Sequence, residues 1–235
     1  MLKNFKSGSF ALLAFLGMAA LFSMCKQGSS DNSEKLLAQA LKNKDYATAA
    51  FAYNNILLKD SNNLEVKDSL ARIYIRSGNY EGGLRLGEQV MAKKPENKKL
   101  LELVGIANEQ MKFTDKSVAN FNVLYKLTGD YVYLYKISAI YFDNNMFTKA
   151  DSTIDLVLTG ADTARKININ LPDGTSQLVP IKAAAYNMKG AIAAEGLNDI
   201  KSGVKYFQDA LKIAPEFSYP QLYLQRIAQY MQQGR

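Results

Sequence analysis

The chain has 235 residues, of which 48% are hydrophobic and 22% are charged, an ordinary balance for one folded domain or one short solenoid with a sizeable core. It contains no histidine and a single cysteine, which excludes Ser-His-Asp and Cys-His catalysis, the common zinc sites and a disulfide framework. The formal charge is +7, but the basic residues are mixed with acidic ones on predicted helix faces. We interpret the excess as a solvated surface and predict no nucleic-acid partner.

The chain begins with a predicted targeting segment, residues 1–24. Its apolar run, 10–22, follows two lysines and is too short for a typical membrane span of roughly 20 residues. The run ends just before Cys25, where the pattern resembles the lipobox of bacterial lipoproteins. That resemblance implies a lipid on Cys25, a flexible tether over 25–32 and an anchored protein of the bacterial cell envelope. We expect the outer membrane, with the remaining chain in the periplasm or at the surface; the alternative is an ordinary secretory signal with a chance cysteine.

Helix pairs follow the tether, each predicted from apolar residues at helical spacing and a turn between two helices. In the most regular pair, Gly78 and Asn79 mark the turn, and Gly83 and Gly87 inside the second helix indicate close packing against another helix. The stretch 131–136 alternates tyrosines as a strand does, but the residues after it restore the helical pattern, and we predict a helix there. The first four pairs extend over 33–61, 64–95, 98–129 and 131–160.

Residues 163–181 interrupt the series and are predicted to form a small β-hairpin. Ile167 and Ile169 alternate with asparagines, and Pro172-Asp173-Gly174 is typical of a turn. The repeat that contains this segment is longer than the others, and we assign all of its additional residues to the segment. An isolated hairpin is only marginally stable, so it is either a structural insertion packed on the helices or a flap that contacts a partner or ligand.

A fifth helix pair, 182–215, and one more helix, 217–235, complete the predicted elements. The first helix of the pair is rich in alanine, which permits close helix approach. The final helix has an apolar stripe and polar remaining positions, as expected of a helix that caps a solenoid. The stripe consists of Leu222, Tyr223, Ile227 and Tyr230.

Equivalent residues recur across the pairs at steps of 33 or 34, followed by one step of 53. The second helices begin at Tyr46, Tyr80, Phe113, Phe147 and Ile200. The best matches to a known motif are Leu70-Ala71-x-x-Tyr74-x-x-x-Gly78-Asn79-Tyr80 and Tyr206-Phe207-x-x-Ala210-Leu211-x-x-x-Pro215. On these residues the chain resembles the tetratricopeptide repeat (TPR) family. The resemblance implies an all-α, right-handed solenoid of about five helix-turn-helix repeats over 33–216, with a capping helix and a small β-hairpin insertion.

The resemblance also implies a concave groove, lined by the first helix of each pair, that holds a peptide or an extended segment of a protein partner. Two arginines one turn apart can clamp a carboxylate there, or they can pair with neighbouring acidic residues. Two aromatic residues can hold an apolar side chain, or they can pack between repeats. The family's groove positions fall on Asp68, Arg72, Arg76, Glu102, Ile106, Glu109, Tyr135, Phe142 and Asn187.

No motif indicates catalysis or metal binding. Acidic residues are scattered at predicted exposed positions, and 60–65 resembles a calcium loop but lacks its glycine and terminal glutamate. We therefore predict no enzyme, no metal and no cofactor. Two function classes stay open: a membrane-anchored scaffold or adaptor that binds protein partners through the groove, and a small-ligand or glycan-binding lipoprotein that uses the hairpin and the tyrosine-lined face.

Overall fold

The computed structural model describes residues 32–233, so the predicted targeting segment and Cys25 lie outside the described residues. This part of the chain forms two compact units, 32–93 and 94–233. Within 32–233 no helix combines the length and the apolar character that crossing a membrane requires.

The unit 32–93 consists of two helix pairs. Its helices are α1 (32–42), α2 (Tyr46–Lys59), α3 (Leu64–Arg76) and α4 (Tyr80–Met91). The last three begin after a side chain that accepts a hydrogen bond from a backbone N–H in the first turn, namely Asp45, Asn63 and Asn79. Such caps satisfy one of the backbone donors that a helix start leaves without a partner.

The unit 94–233 contains three further pairs, a hairpin and a last helix. Its elements are α5 (Lys98–Gln110), α6 (Thr114–Thr128), α7 (Val132–Asp143), α8 (Phe147–Gly160), β1 (Lys166–Asn170), β2 (Ser176–Pro180), α9 (Ile181–Ala191), a π-helical turn (Ile192–Gly196), α10 (Ile200–Ile213) and α11 (Ser218–Gln233). The predicted helix over the alternating tyrosines is therefore confirmed as part of α7. The all-α fold with a small hairpin, predicted from the sequence, is also confirmed.

The two helices of a pair approach each other at small residues, as the recurring small positions predict. The hydroxyl of Ser117 donates to the carbonyl of Gly105 at 2.9 Å, and that of Ser138 donates to the carbonyl of Ala150 at 2.8 Å. In two further pairs a glycine removes the side chain altogether, because a Cβ there would press on the facing helix. Those glycines are Gly83 opposite Ala71 and Gly203 opposite Gly190.

Each turn inside a described pair contains one residue with a left-handed backbone. The φ angles are 57° at Lys44, 83° at Gly78, 61° at Lys112, 59° at Asn145 and 61° at Asn198. Glycine adopts this conformation without strain, asparagine tolerates it, and a residue such as lysine pays a steric penalty. The backbone geometry of the turn is thus constant while its residue type varies.

The fifth pair contains one residue more than the others. Seven positions separate Gly105 from the left-handed Lys112, but eight separate Gly190 from the left-handed Asn198. The additional residue is accommodated by the π-helical turn Ile192–Gly196, the usual result of one residue inserted into an α-helix. The assignment of the whole surplus to the hairpin segment was therefore wrong by this residue.

The hairpin packs one face on the helices. β1 and β2 pair antiparallel with Ile167 opposite Val179, and both of these side chains are buried. Leu178, on the other face, is 60% exposed. Both strands contact α9. The structural-insertion interpretation thus accounts for the inward face.

The predicted apolar stripe of α11 is only half buried. Tyr223 and Ile227 are partly covered, but Leu222 is 37% exposed and Tyr230 is 71% exposed. The reason is that α11 contacts α10 and α9, which meet it along one side. Leu222 and Tyr230 of the stripe are therefore accessible to solvent.

Candidate functional site

In the unit 32–93, the predicted groove residues lie on α3. Arg72 binds Asp68 through two parallel hydrogen bonds, Nε to Oδ1 at 2.9 Å and the second guanidinium nitrogen to Oδ2 at 3.0 Å. This bidentate pair is half-buried, and it engages the guanidinium of Arg72 with a carboxylate of the same helix. Arg76 is exposed in the last turn of α3. The pairing alternative for Arg72 is thus the one observed.

In the unit 94–233, the first predicted groove residues lie on α5. Glu102 forms an ion pair with Lys136 of α7, with Nζ and Oε1 separated by 3.0 Å, and Ile106 is half-buried. The Lys136 ammonium also lies 5.2 Å from the centre of the Phe121 ring. Glu102 therefore joins neighbouring repeats.

Glu109 faces a small polar cavity of about 180 Å³ between α5 and α7. Lys112, Thr114, Ile140 and Asp143 also line it. Burial raises the pKa of Glu109, and the Asp143 charge raises it further while lysines oppose the shift. Burial likewise raises the pKa of Asp143. Two carboxylates thus share a partly dehydrated space.

Tyr135 of α7 lies near two tyrosines of the last helix, Tyr219 and Tyr223. Burial raises the pKa of the Tyr135 hydroxyl well above its usual range, and Tyr219, Asp143 and Tyr223 act in the same direction. We call Tyr135, Tyr219 and Tyr223 the tyrosine cluster. It brings together α7 and α11, although a whole helix pair separates them in the sequence.

Stacked aromatic rings hold the α11 side of the tyrosine cluster. The Tyr223 ring stacks on Phe207 of α10, with centroids 4.7 Å apart and planes 9° apart. Tyr219 stacks on Tyr223 at 6.3 Å, and its other neighbour is Phe217 at 6.5 Å. Phe207 and Phe217 are fully buried, so Tyr219 and Tyr223 pack against side chains that are held in the core.

Asn187 lies on α9, the helix that contacts both α7 and α11. It is only 8% exposed, and its side-chain oxygen is buried without a hydrogen-bond partner. A buried amide acceptor left in this state costs about 1–3 kcal/mol. The alanines that precede Asn187 on α9 are fully buried and leave this helix narrow.

The π-helical turn contributes Glu195 to the same region. Burial raises the pKa of Tyr223 well above its usual range, and the charge of Glu195 and a hydrogen bond to its carboxylate add to the effect. Glu195, Tyr223 and Arg226 also line an open cavity of about 220 Å³ with Ile227 and Tyr230. The tyrosine cluster is therefore bordered by the acidic Glu195 and by the apolar Ile227.

Phe142, the remaining aromatic candidate, packs within its own helix pair. Its ring meets the edge of Phe147 at a centroid distance of 5.7 Å, and Phe147 in turn rests on Gly196. Phe142 is half-buried. Of the two predicted aromatic groove residues, only Tyr135 lies near tyrosines from outside its own helix pair.

Of the nine predicted groove residues, Tyr135 belongs to the tyrosine cluster, and Asn187 lies on α9, the helix that contacts both helices of the cluster. Sequence reasoning missed Tyr219, Tyr223 and Glu195 as site residues. The signal available was the run of alanines on α9, which allows the helices on either side to approach. Over residues 32–233, no group of three or more His, Cys, Asp or Glu side chains is arranged to hold a metal ion.

Comparisons with known proteins give matches in structure. Neither family models nor curated protein sequences match the chain. A crystal structure of MamA protein has a TM-score of 0.61 and 17% identity, covering 81% of this chain and 94% of that one. YrrB, described as a TPR protein with an unusual peptide-binding site, has a TM-score of 0.60 and 14% identity, covering 81% and 88%. A second MamA structure has a TM-score of 0.59 and 17% identity, covering 78% and 96%. The chain therefore has the tetratricopeptide repeat fold.

Proposed function

We propose that the protein is a scaffold or adaptor that binds an extended peptide segment of a protein partner at the tyrosine cluster. The observation that carries this proposal is the buried side-chain oxygen of Asn187, which has no hydrogen-bond partner on the helix between α7 and α11. Buried polar groups in proteins are almost always paired. A peptide backbone supplies N–H donors at regular intervals, which is the kind of partner that the Asn187 oxygen lacks.

The tyrosine cluster suits a peptide. Its rings offer rigid apolar surface at low entropic cost, and tyrosine hydroxyls form hydrogen bonds, as that of Tyr223 does with Glu195. The structural similarity to YrrB, a protein described as having a peptide-binding site, is in keeping with this function. The function is binding without catalysis.

The alternative, a small-ligand or glycan site built from the hairpin and the tyrosines, has less support. The inward face of the hairpin is used for packing through Ile167 and Val179. Gln177, on the same face, is hydrogen-bonded to Glu216 and Ser218. The hairpin thus has little left on that face to offer a ligand.

The envelope location belongs to the same proposal and rests on the sequence alone. The lipid on Cys25 would place the helical units next to a membrane, where they dock a protein partner. Stable anchoring needs more than one acyl chain, which a diacylglycerol thioether and an acylated amino terminus together provide.

Selection from a random dodecapeptide library tests the binding function. We expect peptides selected on the unmodified protein to bind at least about tenfold more weakly to Tyr223→Ala and to Asn187→Leu, since the first removes a ring of the cluster and the second removes the acceptor proposed for the peptide backbone. Phe51→Ala is the matched control, because Phe51 is an aromatic residue on α2 with 60% exposure. If the three variants bind alike, or no peptide is enriched, the proposal is wrong.

Fractionation of cells tests the anchor. Cys25→Ser is expected to move the protein from the membrane fraction to the soluble fraction, because the only thiol that can carry the lipid is lost. A variant that stays with the membrane contradicts the anchoring.

A further inference from the structure

We infer that the hairpin is a brace that fixes the starts of α7 and α11 and thereby positions the tyrosine cluster. The brace consists of the hairpin with Arg165, just before β1, and Gln177, in β2. One of these side chains binds the connection before α7, and the other binds the connection before α11.

The α7 end of the brace is an ion pair. The guanidinium of Arg165 donates to Oδ2 of Asp130 at 2.7 Å. The other oxygen of Asp130 accepts from the backbone N–H of Val132, the first residue of α7, at 3.1 Å. One carboxylate therefore holds both the hairpin and the start of the helix that carries Tyr135.

The α11 end of the brace is a pair of hydrogen bonds from one amide. Nε2 of Gln177 donates to the carbonyl of Glu216 at 2.6 Å, and its Oε1 accepts from the N–H of Ser218 at 3.0 Å. Ser218 is the first residue of α11, and Phe217 before it has no side-chain acceptor. Gln177 thus supplies from the hairpin the cap that other helices in the chain obtain from their own Asp or Asn.

The body of the hairpin is anchored independently of these two side chains. Ile167 and Val179 are buried, and the N–H of Ile181 donates to the carbonyl of Arg165 at 2.8 Å. The hairpin is therefore fixed by its own packing. Its two polar side chains, Arg165 and Gln177, restrain the connections before α7 and α11, and those connections are not what holds the hairpin in place.

The consequence concerns the ligand. Tyr135 lies in the first turn of α7, and Tyr219 lies in the first turn of α11. Fixing both helix starts fixes the separation of the tyrosines, which reduces the conformational entropy lost on binding. Arg165 and Gln177 are positioning residues. This last step rests on the proposed peptide binding, whereas the restraint on α7 and α11 does not.

Hydrogen exchange of the full chain, read by mass spectrometry on peptides that cover the two helix starts, tests the restraint. Gln177→Ala is expected to accelerate exchange at 216–224 about tenfold, while α3 and α4 exchange as before. Gln177→Glu keeps the oxygen that accepts from Ser218 and should give a smaller change. Arg165→Ala is expected to accelerate exchange at the start of α7, and Arg165→Lys should largely restore it.

Leu178→Ala is the matched control, because Leu178 lies in β2 on the exposed face. It should exchange like the unmodified protein. Unchanged exchange at both helix starts in Gln177→Ala and Arg165→Ala overturns the brace, as does equal acceleration in Leu178→Ala.

The dodecapeptides selected on the unmodified protein test the second step. Their Kd for Gln177→Ala should rise about three- to tenfold, by loss of preorganisation. Faster exchange with an unchanged Kd refutes the positioning of the ligand site but leaves the restraint intact. If no peptide is enriched in the first place, the proposed function fails while the exchange result still decides the brace.

Discussion

The units 32–93 and 94–233 are built from the same helix pair, yet only the second departs from it. The first unit contains two regular pairs, capped by Asp45, Asn63 and Asn79. The second contains the hairpin, the π-helical turn and both buried side-chain oxygens without a partner in residues 32–233, those of Asn108 and Asn187. The hairpin, the π-helical turn and Asn187 all lie between α8 and α10 along the chain, whereas Asn108 lies on α5. Most departures from the regular pair are therefore concentrated in the fifth pair and the segment before it.

The largest expected effect is shared by two equivalent glycines, Gly83 in the regular α3–α4 pair and Gly203 in α10, and tests whether both units use the same close helix approach. A Cβ on Gly203 would lie 2.7 Å from the Ala194 Cβ, and a Cβ on Gly83 would press on Cγ1 of Ile75, a buried β-branched side chain with a stiff χ1 angle. Overpacking costs about 1–3 kcal/mol, and alanine regains about 1 kcal/mol of helix propensity. We expect Gly203→Ala and Gly83→Ala each to lose about 2 kcal/mol of unfolding free energy. Urea unfolding followed by circular dichroism measures both, and an unchanged stability in either variant would contradict the shared approach.

Deleting Ala194 tests whether the additional residue serves the site. The deletion returns the fifth pair to the seven-position spacing of the others and withdraws Glu195 from Tyr223. We expect helix content to be kept and the selected dodecapeptides to bind about tenfold more weakly, equivalent to about 1.4 kcal/mol. Glu195→Gln, which keeps the π-helical turn, is the control for the charge alone. Full binding by the deletion variant would show that the turn has no part in the site.

The turns allow a smaller comparison with opposite signs. Lys112→Gly is expected to raise the unfolding free energy by about 1 kcal/mol, because it relieves a left-handed backbone at a residue with a Cβ. Gly78→Ala should lower it by about the same amount, since the native φ is 83°. Chemical denaturation measures the unfolding free energy of both variants. A change of the same sign in Lys112→Gly and Gly78→Ala would contradict the prediction.

The smallest expected effect is electrostatic. The pKa of Glu109 is raised in the folded protein from an ordinary value of 4.5, so its contribution to stability is present below that pH and is lost as pH rises through the raised pKa. Glu109→Gln should therefore raise the melting temperature at neutral pH by about 1–2 °C, since solvent screens much of the effect. The gain should vanish near pH 4, where the carboxyl is protonated. Asp68→Asn is the contrast in the first unit, because it removes a partner of Arg72 and should destabilise at neutral pH.

The repeated helix pairs were predictable because their signals are local. Apolar spacing, the aromatic starts at Tyr80 and Phe147 and the small position at Gly83 each operate within one or two turns of helix. The hairpin was predictable for the same reason, from alternation around a Pro-Asp-Gly turn. These features depend on neighbours in the sequence.

The site was less predictable because it depends on distant helices. Tyr135 is predicted as a groove residue, but its electrostatic coupling to Tyr219 and Tyr223 depends on how α9 packs against both α7 and α11. Arg72 was a candidate for ligand binding until its geometry showed both arms of the fork on Asp68. No local pattern specifies that Gln177 reaches an α11 residue 41 positions along the chain.

The left-handed turn residue shows that different residue types can form the same turn of a repeat. Among the five turns of the described pairs only that at Gly78 uses glycine, while Lys44, Lys112, Asn145 and Asn198 reproduce the same backbone with other residues. A sequence profile that requires glycine at this position would match only one of the five pairs. This is in keeping with a chain that matches no family model yet superposes on known repeat structures. The five turns thus share a dihedral angle rather than an amino acid. Related arrays are therefore better sought by the periodicity of their backbone angles than by their consensus letters.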